Sequence, residues 1–148
     1  HRTVDPMNSL SWIIGHLAVH ELRVWVEIAQ GRLVGQNVLV CEGGNEKTIP
    51  DFDEMLQSWH LITSAADEYL DNLTQRNMQT HFMWQGKQER EDIGTMLQRN
   101  IYHYWYHTGE AQAIRQILGH DDLIQYVGTI PESANYHPES TQLSTLDD

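Results

Sequence analysis

Basic residues are scarce in this sequence: nine Lys and Arg stand against 21 Asp and Glu, a formal net charge of −12. Nucleic acid is therefore not expected as a partner, because its phosphates would be repelled. Acidity of this kind also does no more than keep a protein soluble. Cysteine is nearly absent. The single Cys41 has no partner for an internal disulfide, so nothing points to an oxidising compartment, and a cytoplasmic location is expected. No apolar run approaches the roughly 20 residues that span a bilayer, and no signal peptide is visible. Residue 1 is His rather than Met, which suggests that something upstream has been lost.

Histidine, in contrast, is plentiful: nine in 148 residues, alongside five Trp and six Tyr. With 40% apolar residues the chain can build a real core, and its length suits one domain, read here as residues 1–128 with an irregular polar tail over 129–148. The longest helical pattern starts at a capping Asp92 and ends at Gly119. Within it Ile93, Met96, Leu97, Ile101, Tyr104, Ala111, Ile114 and Leu118 recur at helical spacing. His103 and His107 lie on one edge of that stripe, four residues apart and so one turn apart on the same face. Two neutral imidazoles so placed can grip a metal ion. They can equally be buried histidines satisfied by ordinary hydrogen bonds.

Earlier in the chain, Asn8 or Ser9 caps a helix expected to reach about Gln30, with its apolar stripe on Leu10, Ile13, Ile14, Leu17, Val24 and Ile28. Gly15, a poor helix former in mid-helix, signals close packing or room for a ligand. His16 follows it, with His20 one turn on. Residues 31–50 read as a long surface loop around a short β-like run, Val38-Leu39-Val40. A third helix starts at Asp51 or Asp53 and ends near Thr74. A short hairpin is expected over 78–90 and a short helix over 121–127. Trp12, Trp59, Trp105 and Tyr104 are assigned to the core, Cys41 to an inert position in the loop, and His60 to the surface.

Two segments then carry a resemblance. Asn8-Ser9-Leu10-Ser11-Trp12-Ile13-Ile14-Gly15-His16-Leu17-Ala18, with Glu21 and Trp25 behind it, resembles the second helix of the DinB/YfiT-like metalloproteins. His103-Tyr104-Trp105-Tyr106-His107-Thr108-Gly109-Glu110, followed by Ile114-Arg115-Gln116-Ile117-Leu118-Gly119, resembles their last bundle helix. The resemblance covers roughly residues 5 to 128. It implies an all-α, up-down-down-up four-helix bundle, usually a homodimer, in which the helix that the family places ahead of Asn8 is missing here or supplied by a partner. It also implies a divalent metal on His16, His103 and His107. His20 is read as a supporting or pocket residue rather than a ligand. Glu110 either holds a ligand's other nitrogen, acts as a base, or forms an interhelical ion pair.

Three imidazoles suit Zn²⁺, Ni²⁺ or Fe²⁺. An open position on such an ion suits catalysis, as a transferase or a hydrolase. The family's characterised members imply transfer of a low-molecular-weight thiol, mycothiol or bacillithiol, onto a small electrophile. Two other readings stand beside it: a non-catalytic metal or small-molecule binder, and a structural helical dimer.

Overall fold

The computed structural model describes residues 6–46 and 48–128. Helix α1 spans Leu10–Glu21 and begins at Ser9, whose hydroxyl accepts from the backbone N–H of Trp12 at 3.1 Å. The rod does not stop at Glu21. It continues as a π-helical segment over Leu22–Ile28, with Gly31 in the left-handed region just beyond. The wider winding changes which side chains face inward. Leu22, Trp25 and Val26 are fully buried, while Val24 and Ile28, expected on the inner stripe, are only half-buried.

The loop of residues 31–50 carries structure that its β-branched residues did not suggest. Gln36–Cys41 form a 3₁₀ helix, not a strand, and Val38 and Cys41, three residues apart, are its buried positions. Gly35 starts it with φ 55°, and a Cβ there would stand 2.9 Å from Ile62 Cδ1, so both conformation and space call for glycine. Cys41 is thus a core residue rather than a surface one.

Helix α2 spans Phe52–Leu70. Its cap is Asp51, whose carboxylate accepts from the N–H of Glu54 at 2.9 Å. A short helix α3, Gln75–Met78, lies where only a change of character was expected, nucleated by a capping box between Thr74 and Asn77. The hairpin is present. Strands β1 (Met83–Trp84) and β2 (Lys87–Gln88) pair antiparallel around Gln85 and Gly86, both at positive φ. Helix α4, Ile93–Ile117, is capped by Asp92. The helix expected over 121–127 does not form; that segment is irregular, with a turn at 126–128. The tail over 129–148 lies outside the described residues.

The main core lies between α1 with its π-helical extension, the 3₁₀ helix and α2, and holds Leu22, Trp25, Val26, Val38, Met55 and Ile62. Each such large side chain contributes about 1.5–3 kcal/mol on burial. Gly15 serves close packing here: a Cβ in its place would meet Cys41 Sγ at 2.5 Å and Met55 Sδ at 2.8 Å. Helix α4 joins α1 through a smaller cluster of Ile13, Leu17 and Ile114. Its outer face carries Ile101, Tyr102, Trp105 and Tyr106, 44–71% exposed, so Ile101 and Trp105 are not the core residues their spacing suggested. The result is a mostly helical, all-α domain. No helix of the described residues is long and apolar enough to cross a membrane.

Candidate metal centre

The seam between α1 and α4 brings four histidines together. His16 and His20 lie one turn apart on α1, and His103 and His107 one turn apart on α4. Ring centroids are 5.0 Å apart for His16 and His103, 5.1 Å for His16 and His107, and 4.7 Å for His103 and His107. His20 lies 5.0 Å from His16 and 4.1 Å from His103. Among the described residues, His16, His20 and His103 form a group whose donor atoms all lie within 4.8 Å of one another. These three can hold a metal ion. By ring centroids the three histidines singled out by the resemblance lie in one cluster with His20, but the close donor group contains His20 in place of His107.

Two of the rings are held in a defined tautomer by hydrogen bonds from Nδ1. His16 donates to the carbonyl of Cys41 at 2.9 Å, and His107 to Glu110 Oε2 at 2.8 Å. In both, Nε2 keeps its lone pair free, as a metal ligand requires. Glu110 is itself fixed, since its other oxygen accepts from Asn8 Nδ2 at 3.0 Å. Trp12 stacks on His16 with centroids 4.5 Å apart and planes 12° from parallel, so it is a wall of the site as well as of the core. The 3₁₀ helix thus has a clear purpose: it brings the Cys41 carbonyl to His16, and Gly15 leaves room for it to approach.

His103 differs from these two. Its Nδ1 is buried and has no hydrogen-bond partner. An orphaned buried nitrogen is costly, and a cation is one of the few things that would satisfy it among imidazoles. Burial pushes the pKa of His16 below the usual histidine range, that of His20 to about 4 and that of His103 to about 3. His16, His20 and His103 are accordingly neutral at pH 7, which is the ligand form. Donors on one Zn²⁺ sit about 2.0–2.1 Å from it and so at most about 4.2 Å from each other.

Beside the histidines a second buried polar chain runs through the seam. Glu21 accepts from Asn100 Nδ2 at 2.8 Å and bonds with Tyr104, whose hydroxyl accepts from Trp59 Nε1 at 2.9 Å. Burial raises the pKa of Glu21 above the usual carboxylate range. None of these partners was visible in the sequence, although Glu21, Asn100 and Tyr104 all lie on the helix faces that carry the histidines.

Two cavities open on the cluster at His20, and a third of about 180 Å³ touches it at His107. One of about 390 Å³ is lined by His20, His103, Met96, Arg99, Asn100 and Tyr106, among others. The other, about 370 Å³, is bounded by His16, His20, Arg23, Glu42 and Arg99. Each can admit a small molecule.

The model of the DinB superfamily matches residues 1–111, three quarters of the chain and all four histidines. The chain belongs to the DinB superfamily. No curated protein and no solved structure matches it well enough to add a relative. The matched stretch of this DinB-superfamily domain includes both histidine pairs.

Proposed function

We propose that this protein binds a divalent metal ion, Zn²⁺, Ni²⁺ or Fe²⁺, and uses it to transfer a low-molecular-weight thiol onto a small electrophile. One observation carries the reading: neutral imidazoles from α1 and α4 converge on one point, with a buried, partnerless nitrogen on His103, at the wall of a cavity of about 390 Å³. His16, His103 and His107 are the expected ligands. A bound divalent ion lowers the pKa of a coordinated thiol, so that it is present as thiolate, the nucleophilic form.

The protein's own groups prepare the site for this. The Cys41 carbonyl and Glu110 hold His16 and His107 with Nε2 free. Trp12 stacks on one face of His16. Arg99, on the walls of both larger cavities, offers a cation to an anionic group of a thiol or acceptor. The thiol, of the mycothiol or bacillithiol kind, supplies sulfur. The acceptor loses a leaving group such as halide as the C–S bond forms, and the thiol proton passes to solvent.

We take the working form to be a cytoplasmic homodimer. The exposed apolar side chains of α4, Tyr106 at 71% and Tyr102 at 62%, support a covered face, and the buried unpaired Cys41 suits a reducing compartment. The test is conjugation of mycothiol, bacillithiol or glutathione to an aryl halide by the Zn²⁺-loaded protein. Turnover with one of them, lost in His103→Ala, supports the transferase. Stoichiometric metal without any conjugation points instead to a non-catalytic binder.

A further inference from the structure

In the sequence His20 reads as a supporting or pocket residue, but the geometry gives it a larger part. Helix α1 carries its own pair of histidines at i and i+4, and that pair faces the pair on α4. The shortest ring separation in the cluster is 4.1 Å, between His20 and His103. His103 Nδ1 nonetheless has no hydrogen-bond partner, even with the ring of His20 beside it. Two neutral imidazoles in contact, one with an orphaned buried nitrogen, are poorly compensated as they stand. An ion between them would satisfy both. His20, moreover, belongs to the one group of three described residues whose donor atoms all lie within 4.8 Å of each other.

We propose that His20 is itself a ligand of the metal ion, so that two facing imidazole pairs, one on α1 and one on α4, build the site. The inference rests on the metal-site reading above and departs from it in one residue. His20 also lines the two larger cavities that open on the cluster, so a small molecule entering by either would meet the ion beside His20.

The experiment uses the full chain with Co²⁺ and Zn²⁺ alone as probes. Co²⁺ absorption reports the ligand set, and competition with a chromophoric chelator reports Zn²⁺ affinity. In His20→Ala we expect an altered Co²⁺ spectrum and an affinity lower by about tenfold or more, the scale on which even supporting residues of metal sites act. His60→Ala, at an exposed position of α2, should change neither. An unchanged spectrum and affinity in His20→Ala, with the parent protein binding one ion, overturns the role of His20 and leaves the three-histidine site standing. A parent that binds no ion overturns both. Should His20→Ala fail to fold, acylation of histidines by diethyl pyrocarbonate in the parent decides the matter. Zn²⁺ should block modification at His20 but not at His60, and equal labelling of His20 with and without Zn²⁺ would refute the assignment.

Discussion

Gly15→Ala probes the contact that seats the site. In an open helix this change stabilises by about 1 kcal/mol, because alanine is the better helix former. Here the new methyl would lie 2.5 Å from Cys41 Sγ, 2.8 Å from Met55 Sδ and 3.1 Å from Cys41 Cβ. Ordinary carbon contacts are about 3.5–4.0 Å, so the 3₁₀ helix must retreat from α1 by roughly an ångström. Cys41 and Met55 are 0% and 1% exposed, which leaves them little room to turn aside. Overpacking costs about 1–3 kcal/mol; with three contacts this short the upper part, about 2–3, applies here, and the propensity gain offsets about 1 of it. The expected net loss is about 1–2 kcal/mol, or a fall in Tm of roughly 2–8 °C for a chain of this size. The same retreat pulls the Cys41 carbonyl from His16 Nδ1, so metal affinity should fall along with stability. Thermal melts by circular dichroism at 222 nm and a chelator titration measure the two. Cys41→Ala in the Gly15→Ala background removes the nearest clashing atom, and the double-mutant cycle should show a favourable coupling of about 0.5 kcal/mol or more. A Gly15→Ala protein as stable as the parent, or more so, would refute the packing argument.

Other expectations follow from particular groups. Glu110→Ala leaves His107 Nδ1 without its acceptor, and metal affinity should drop about 10–100-fold in chelator competition, with helix content unchanged. The metal-free protein should lose stability in acid. The folded-state pKa values of His16, His20 and His103 lie below the unfolded value of 6.5, so the unfolded chain binds more protons as pH falls from 6.5 towards 4. Glu21, whose pKa is raised by burial, acts in the opposite sense, but it is one group against three. Urea midpoints at pH 7.5 and pH 5 test the sign, and an equal or higher midpoint at pH 5 would contradict it. Burial also pushes the Cys41 thiol up to about 11, so a disulfide reagent should label it only on unfolding.

What the sequence disclosed depended on whether the deciding interaction was local. The caps at Ser9, Asp51 and Asp92 are satisfied within three residues, and these helix starts lie where side-chain chemistry pointed. The hairpin over Met83–Gln88 was legible for the same reason, from its Gln85-Gly86 turn. The 3₁₀ helix was not. Val38-Leu39-Val40 has strand composition, and only the burial of Val38 and Cys41 against α1 and α2 selects a three-residue period. The π-helical winding after Glu21 was hidden because a 3.6-residue stripe through Val24 and Ile28 fits the sequence just as well. The expected helix over 121–127 had composition in its favour but buries no side chain in that segment, so nothing holds it.

The candidate site divides in the same way. The spacing of His103 and His107, and the place of His16 after Gly15, could be read directly. His20 had the same four-residue spacing to His16, a signal that was present but outweighed by the family pattern. The Cys41 carbonyl on His16, the stacking of Trp12 and the orphaned Nδ1 of His103 depend on how α1, the 3₁₀ helix and α4 meet, which no local pattern records.

The most direct measurement is elemental analysis of the purified, tag-free protein beside its His16→Ala, His103→Ala and His107→Ala variants, each reloaded with Zn²⁺ and dialysed. One equivalent of divalent metal is expected in the parent, with marked loss in all three variants and each variant still helical by circular dichroism. A parent that retains no metal after reloading with Zn²⁺ or Ni²⁺ would contradict it, and the four histidines would then be core residues of a helical domain.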